Sequence, residues 1–369
     1  MAIFDVPLAD LRKRTSIKWR RFEPDVIPMF VAEMDAHMAA PIRERLERAI
    51  RDGDTGYPQD PCYQESYAAF AADTWGWTFN PDDAKLATDV VTGMRDALVA
   101  VSEPGDGVVI NSPIYPPFRA VTTTTGRRLI DVPLRDGRLD LDGLEATFAE
   151  QSPTAYLLCS PHNPSGAIHT REELLRVGQL AERYGVTVIA DEIHAPIAGA
   201  DHIPYFDAAG SDNAVIVTSA SKSWNLASLK SALVIGDRDI LAKLDPMISD
   251  GASHFGVIAH CAALDDARAW LLSAAVEIDA NKRFFAEQLS EHLPQLTYEP
   301  TPGTYLAWLD CSPLGLEHPG RHFHEKARVR FNFGPEFAPD ATQFVRVNLA
   351  TSREIIAEAV RRMATSLAD

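Results

Sequence analysis

The sequence predicts an α/β protein whose larger domain contains a mostly parallel sheet covered by helices on both faces. Short apolar segments recur through the middle of the chain, and helical patterns separate most of them. Segments of this length that alternate with helices are typical of parallel strands buried on both faces. The predicted strands are residues 107–110, 156–159, 186–190, 214–217 and 232–235.

One helix between these strands is specified by its ends. Thr170 and Glu173 form the T-x-x-E pattern of a capping box. An inward apolar stripe follows over residues 174–181, and Gly185 is suited to the left-handed position that ends a helix. The β-branched run at residues 122–125 instead predicts a strand or a strand edge.

The C-terminal part has a different pattern. A long helical pattern covers residues 269–293, strand-like segments follow at 303–309 and 344–349, and a last helix begins after Ser352 and extends through Arg362. Few strands with packed helices predict a smaller α+β domain. We therefore expect a large domain at residues 38–268, a small domain at 269–369, and an N-terminal segment, 1–37, that packs on the small domain.

Composition excludes several classes of function. A chain of 369 residues favours two domains, and a formal net charge of −17 disfavours nonspecific binding to nucleic acid or anionic membrane. No apolar stretch approaches the ~20 residues that span a bilayer, and the N-terminus does not resemble a secretion signal. We therefore expect a cytoplasmic enzyme. We also expect no metal, because the four cysteines do not have the spacing of a zinc site: Cys62, Cys159, Cys261 and Cys311.

Ionisable side chains follow two of the predicted strands. Asp191 and His194 come after one strand, and Lys222 comes after the next in Thr-Ser-Ala-Ser-Lys. Open α/β sheets bind ligands at this edge. An amine that can form a Schiff base and an acid that can hold a ring nitrogen protonated are what pyridoxal phosphate (PLP) requires. We predict these roles for Lys222 and Asp191, with Lys222 also moving a substrate proton and His194 orienting Asp191.

Two further residues are candidates for contacts with the PLP ring. Asn163, in Ser-Pro-His-Asn-Pro-Ser-Gly, could donate to the phenolic oxygen, although plain turn chemistry also explains the motif. Tyr115 stands among prolines that keep the backbone extended, where its ring could stack on the cofactor. A tyrosine of the core is the alternative.

A glycine turn is the candidate for the phosphate. Gly93 follows two valines and is predicted to open a helix, whose N–H groups and dipole would attract an anion. Any strand–turn–helix connection gives a similar pattern, so the motif alone is weakly specific. The predicted phosphate-binding residues are Gly93, Met94, Arg95, Ser219, Ser221 and Lys230.

Arg346 is the candidate for binding a substrate. It lies in the strand-like segment 344–349, where alternation predicts an inward or interfacial side chain. The planar guanidinium matches the α-carboxylate of an amino acid. A structural ion pair is the alternative.

Together these motifs resemble the fold-type-I PLP enzymes of the aspartate aminotransferase superfamily. The finer resemblance is to the cystathionine β-lyase/C–S lyase branch of the class I/II aminotransferase-like proteins, through Asp-Glu-Ile-His at 191–194 and Tyr-Pro-Pro-Phe at 115–118. The matching segments extend over nearly the whole chain: residues 14–19, 32–35, 56–57, 115–118, 161–164, 191–194, 221–222, 303–310 and 346–348.

The resemblance implies β-elimination from an S-substituted cysteine or a cystathionine-like amino acid, with release of a thiol, pyruvate and ammonia. It also implies a homodimer with a shared active site, in which Tyr57 reaches the phosphate of the neighbouring subunit's cofactor. The chain departs from the family pattern at residues 29–36, at Ser160 and at residues 330–334, which read Arg-Phe-Asn-Phe-Gly.

Other functions remain open at this point. The chain could be an aminotransferase, or an enzyme of natural-product biosynthesis that acts on an S-cysteine conjugate by decarboxylation or oxidative deamination. The departure at Arg330 and Asn332 keeps the second option open. A regulatory or binding protein with a PLP fold is an alternative of another class, against which the presence of Lys222, Asp191 and Arg346 argues.

Overall fold

The computed structural model describes residues 2–58, 61–245 and 247–368, which form two compact units. The large unit comprises Met38–His162 and Ala167–Leu271. The small unit comprises the residues up to His37, the segment Asn163–Gly166, and the residues from Leu272 onward. None of the helices in the described residues has the length and apolar composition that crossing a membrane requires.

The large unit contains a seven-stranded sheet flanked by helices. The strand Ala232–Gly236 is antiparallel to both of its neighbours, whereas the remaining pairs are parallel. The sheet is therefore mostly parallel, and the predicted fold class is confirmed. From edge to edge the strands are Ala84–Ala87, Ala232–Gly236, Ala214–Thr218, Thr187–Asp191, Ala155–Cys159, Gly107–Ile110 and Arg128–Asp131.

The five predicted strands are confirmed, each within a residue or two, and the sheet has two further strands at its edges. The edge strand Arg128–Asp131 is exposed at both ends and carries charged residues there, so it lacks the apolar run that marks a buried strand. The other edge strand, Ala84–Ala87, is interrupted by Lys85. Edge strands are half solvated, and their sequences therefore carry a weaker signal.

The helices of the large unit include the one predicted from its ends. Thr170 and Glu173 form the capping box, and Gly185 ends this helix at φ 67°. The α-helices are Ala40–Asp52, Cys62–Trp75, Val90–Val101, Pro116–Thr124, Leu141–Gln151, Arg171–Tyr184, Ala195–Ala198, Tyr205–Ala209, Arg238–Lys243 and His254–Asp266, with 3₁₀ turns at Pro81–Asp83 and Gly199–Asp201.

The strand predicted at residues 122–125 is wrong, because these threonines end the helix Pro116–Thr124. Their hydroxyls donate to carbonyls of the preceding turn, as in Thr122 Oγ1 to the Phe118 oxygen at 2.9 Å and Thr123 Oγ1 to the Arg119 oxygen at 2.9 Å. Side chains bonded in this way are compatible with a helix despite their β-branching.

The small unit combines a three-stranded antiparallel sheet with helices. Its strands are Leu306–Asp310, Phe344–Asn348 and Asn332–Phe333, and Ile27–Pro28 separately pairs with Val329–Arg330. The predicted long helix and last helix are confirmed, the latter capped by Ser352. The helices are Leu8–Leu11, Ile17–Arg20, Arg268–His292, Pro319–His322 and Arg353–Thr365, with shorter turns at Ser312–Leu314, Phe323–Ala327 and Gly334–Glu336.

A buried ion pair holds two parts of the N-terminal segment together. Lys18 Nζ lies 2.8 Å from Asp35 Oδ2, and each side chain is only 1% exposed. Trp19 Nε1 donates to the other carboxylate oxygen at 3.1 Å, and Lys18 also donates to the Glu33 carbonyl. The charges are thus paired and hydrogen-bonded, as burial requires.

The helix Val90–Val101 begins earlier than the sequence predicted. Asp89 caps it by accepting from the Thr92 N–H at 2.8 Å, so Gly93 lies inside the first turn and does not open the helix. Gly93 is instead required for packing, because a Cβ there would lie 2.9 Å from Val217 Cγ1 and 3.0 Å from Val234 Cγ2. The absence of a side chain lets the helix lie close against the sheet.

We expect Gly93→Ala to destabilise the protein by about 1–3 kcal/mol, because the added methyl group overpacks a dense core. The measurement is the midpoint of urea unfolding followed by circular dichroism. Gly56→Ala is the matched control, since a Cβ at Gly56 would meet nothing within 4 Å. Equal midpoints for the two variants would contradict the packing role of Gly93.

Candidate active site

Asp191 lies at the carboxyl end of a central strand and is only 5% exposed. Its neighbours in register are Cys159 on one side and Val217 on the other. Its Oδ1 accepts the Ile193 N–H at 3.0 Å. Burial raises the pKa of the Asp191 carboxyl to about 7, and the charge of Glu192 adds to this shift. The carboxylate form is costly there unless a cation lies nearby.

Lys222 supplies one such positive charge. Its ammonium group opposes the upward shift of the Asp191 pKa, so the two side chains share one electrostatic environment. The structure therefore brings together the lysine and the acid that the sequence singled out. The two side chains follow adjacent parallel strands, whose carboxyl ends meet at the same edge of the sheet.

The turn that carries Lys222 is held by hydrogen bonds on both sides. Ser219 Oγ donates to the Ser231 carbonyl at 2.7 Å and accepts the Ser221 N–H at 3.1 Å. The Ala220 N–H donates to the Tyr63 hydroxyl at 3.1 Å. The Ser219 hydroxyl therefore already donates its proton to the Ser231 carbonyl. If Ser219 donated to a phosphate as predicted, this bond to Ser231 would have to break. Ser221 lies on the same turn and is partly buried.

Glu192 and His194 follow Asp191 in the chain. His194 is buried and precedes the short helix Ala195–Ala198, and its orienting of Asp191 stays a prediction. Glu192 is fully buried, accepts the Tyr205 N–H at 2.7 Å, and lies 3.2 Å from His202 Nε2. Glu192 therefore holds the segment after the strand together. No sequence pattern marks this role of Glu192, because it depends on contacts ten or more residues away.

The position at which the helix Val90–Val101 begins changes which of the predicted residues can contact a phosphate. Because the helix begins at Val90, its first N–H groups belong to Val90 and Val91, and the Gly93 N–H donates to the Asp89 carbonyl at 2.8 Å. The basis for a contact from Gly93, Met94 or Arg95 is therefore lost. Met94 is part of the apolar core, and Arg95 pairs with Asp96 at 3.3 Å on the surface.

Lys230 does lie at this helix start. Its Nζ is 2.8 Å from Asp89 Oδ2, and this ion pair is partly exposed. Lys230 lowers the pKa of Asp89, although burial acts in the opposite direction. Asp89 thus places a carboxylate at this helix N-terminus, and an anion bound there would share Lys230 and the first N–H groups with it.

Two tyrosines were also predicted to take part. Tyr115 immediately precedes the helix Pro116–Thr124 and packs partly buried against the core of the large unit. Its stacking on a cofactor stays a prediction. Tyr57 is 93% exposed, so its ring lies away from the core of its own chain.

In the small unit, Arg346 occupies the centre of the strand Phe344–Asn348 and is 3% exposed. Its Nη1 donates to Asn163 Oδ1 at 2.9 Å and its Nη2 donates to Asn332 Oδ1 at 2.7 Å. The guanidinium also stacks on Phe337, with 4.8 Å to the ring centroid. Two uncharged amide oxygens thus orient the guanidinium.

Asn332 was not predicted as a contact of Arg346, although its segment was noted as a departure. The two residues are register partners in neighbouring antiparallel strands. The strand Asn332–Phe333 has only two residues, so no periodicity marks it. Asn163 uses its oxygen on Arg346, which leaves its Nδ2 as the donor that was predicted to contact a cofactor.

The chain was compared with known proteins and structures. Residues 36–363 match the family described as Aminotransferase class I and II. The chain belongs to this family. A relative from Mycobacterium tuberculosis with a provisional cystathionine beta-lyase name is 41% identical over 396 residues, covering 98% of this chain and 97% of the relative.

Two other family members extend this comparison. The cystathionine beta-lyase PatB of Bacillus subtilis is 32% identical over 373 residues, with 95% of this chain and 96% of that protein covered. The crystal structure of cystalysin from Treponema denticola, which contains a pyridoxal 5'-phosphate cofactor, superposes with a TM-score of 0.93 at 25% identity and covers 100% of this chain and 99% of that one.

The raised pKa of Asp191 predicts how stability changes with pH when no cofactor is added. Between pH 4 and 7 the folded protein holds a proton on Asp191 that the unfolded chain releases, so this contribution to stability falls as pH rises. Asp191→Asn keeps the acceptor for Ile193 but cannot ionise. We expect its stability relative to the unmodified protein to increase from pH 5 to pH 8 by up to a few kcal/mol.

Urea unfolding at the two pH values measures this difference. The control variant is Asp212→Asn, which removes an exposed carboxyl group in place of a buried one. A difference for Asp191→Asn that does not change with pH, or that matches the difference for Asp212→Asn, would show that the Asp191 carboxyl is not desolvated.

Proposed function

We propose that this protein is a PLP-dependent carbon–sulfur lyase that performs β-elimination on S-substituted cysteines. The observation that carries the proposal is the buried Asp191 carboxyl, whose raised pKa responds to Lys222 at the carboxyl edge of the sheet. The lyase names of relatives that match nearly the whole chain support the choice of reaction.

The residues present fit PLP. A buried carboxyl with a raised pKa gains stability from a cationic partner, and the protonated ring nitrogen of PLP is one. The phosphate would lie at the N-terminus of the helix Val90–Val101, where it would share Lys230 and the first N–H groups with the Asp89 carboxylate. Lys222 is the amine for the aldehyde, and Asn163 Nδ2 is the donor for the phenolic oxygen.

PLP, when bound, supplies an electron sink for the pair of electrons left on the substrate Cα. The chain's own residues supply the remainder. Arg346 binds the substrate α-carboxylate, because its guanidinium is already oriented by Asn163 and Asn332. Lys222 Nζ takes the proton from Cα, and departure of the thiolate from Cβ leaves a product that water converts to pyruvate and ammonia. Tyr115 is proposed to stack on the ring and to assist proton transfer near the departing sulfur.

Transamination is the second candidate, because the family as described comprises aminotransferases. The two reactions differ in what they consume. Elimination releases pyruvate and a thiol from the amino acid alone, whereas transamination requires a keto acid to accept the amino group. Incubating the PLP-loaded enzyme with an S-substituted cysteine and no keto acid decides between them.

We expect Lys222→Ala to lower pyruvate release by about 10²–10⁴-fold or more, because the base for the Cα proton is removed. After borohydride reduction, the unmodified protein should carry the mass of the cofactor and the variant should not. Lys243→Ala is the control, since Lys243 is exposed on another helix. Full activity in Lys222→Ala would end the proposal.

We further propose a homodimer in which Tyr57 contacts the cofactor of the partner subunit. The 93% exposure of this ring supports the proposal, because large aromatic side chains are enriched where proteins associate. A cytoplasmic location remains a prediction of the same kind.

Mixing subunits tests the role of Tyr57. If Tyr57 serves the partner's site, heterodimers of Lys222→Ala and Tyr57→Ala contain one intact site, and random mixing should restore about a quarter of the activity. If Tyr57 serves its own site, no heterodimer has an intact site and mixing restores nothing. Sedimentation velocity of each variant controls for loss of association.

A further inference from the structure

Arg330 is a mostly buried arginine whose side-chain donors lack a hydrogen-bond acceptor among the described residues. The side chain is 14% exposed, and its buried Nε has no partner. Glu336 Oε1 lies 3.6 Å from Nη2, which is an ionic contact and longer than a hydrogen bond. Buried donors are normally satisfied, so such a guanidinium indicates a group that binds there.

Aromatic rings fix the plane of this guanidinium. It stacks on Phe333 at 3.7 Å from the ring centroid and lies 5.1 Å from the centroid of Phe22. Phe22 is in turn held edge-on by Phe30 and His324. Stacking occupies the faces of a guanidinium and leaves its N–H edges for a planar anion.

Among the described residues, the carboxylate beside Arg330 is that of Glu336, and it is already engaged elsewhere. Glu336 Oε1 accepts the Phe333 N–H at 2.8 Å, and Glu336 Oε2 accepts Asn332 Nδ2 at 2.9 Å. Gly334 allows this arrangement, because a Cβ there would collide with the Ala341 carbonyl. Glu336 therefore offers Arg330 only part of its charge.

Arg330 is also linked to Arg346, the residue proposed to bind the α-carboxylate. Asn332 connects them, since its Oδ1 accepts from Arg346 at 2.7 Å while its Nδ2 donates to Glu336, which lies beside Arg330. The two guanidinium groups thus contact a single Asn332–Glu336 pair. This arrangement suits a substrate that carries two carboxylates.

The charges around Arg330 are of both signs. Burial lowers the pKa of Arg330, and the positive charge of Arg21 lowers it further, while Glu336 opposes both. Burial, Arg330 and Arg328 lower the pKa of His324, while Glu23 and Glu325 act in the opposite direction. The unsatisfied donors of Arg330, and not an excess of cationic groups, are therefore what favours an anion here.

We propose that Arg330 binds a second carboxylate, carried by the sulfur substituent of the substrate. The preferred substrates are then S-substituted cysteines whose substituent is anionic, and Arg330 is a specificity-determining residue. This inference rests on the proposed function, in which Arg346 holds the α-carboxylate.

Two isosteric substrates test it: S-(2-carboxyethyl)-L-cysteine and its neutral amide, S-(2-carbamoylethyl)-L-cysteine. We expect the unmodified enzyme to prefer the acid by about 10-fold or more in kcat/KM for pyruvate release, which is the effect of one charged hydrogen-bonded contact. Arg330→Met keeps an unbranched side chain over Phe333. It should lower kcat/KM for the acid by about 10- to 100-fold, mainly through KM, and change the value for the amide less than about 3-fold.

Two comparisons complete the experiment. Arg330→Lys keeps the charge and should retain part of the preference for the acid, whereas Arg346→Lys should impair both substrates. Equal losses on the two substrates in Arg330→Met, or no preference in the unmodified enzyme, would overturn the proposal. The preference of the unmodified enzyme is informative even if the variants fold poorly. Absence of pyruvate from both substrates would instead contradict the lyase assignment.

Discussion

A carboxyl group buried at the end of a central strand is the constraint on which the candidate site depends. Asp191 lies in register between two apolar strands and receives one backbone hydrogen bond, so its negative charge is costly without a cation. The lysine that follows the next strand moderates this cost, and a protonated heterocycle would remove most of it. Protein stability and cofactor binding are thus coupled through a single ionisable group.

The small unit handles charge in a different way. Arg346 is almost fully buried, and the two side chains that orient it, Asn163 and Asn332, are amides. A carboxylate in either position would compete with a substrate for the guanidinium, while an apolar residue would leave donors unsatisfied. An amide fixes the direction of the guanidinium without adding a negative charge of its own. Lys18 and Asp35 show the contrasting case, in which a buried cation is paired directly with a buried carboxylate.

Much of the fold could be predicted because its signals are local. Buried strands appear as apolar runs, and the capping box at Thr170 depends on residues three apart. The edge strands were missed because half-solvated strands lack a continuous apolar run, and the start of the helix at Val90 was missed because Asp89 was not recognised as its cap. The Thr122 run was assigned to a strand from β-branching, although hydroxyl bonds to the previous turn keep it helical.

In the candidate site, too, the features that local sequence patterns mark could be predicted and the others could not. Lys222 and Asp191 could be placed together because both follow strands of one sheet. The contact of Asn332 with Arg346 could not, because it results from the pairing of a two-residue strand. The predicted domain limits near residues 37 and 268 and the contacts of Tyr115 and His194 remain predictions.

The antiparallel strand Ala232–Gly236 has a consequence for how the lysine is held. Thr218 and Leu233 are register partners, so the connection that carries Lys222 leaves and re-enters the sheet at neighbouring positions, like the loop of a wide hairpin. Both anchors of that loop belong to the rigid sheet, and no crossover helix intervenes. Insertions and deletions elsewhere in the large unit can accumulate during evolution without moving the amine, whereas a change in loop length would act on it directly.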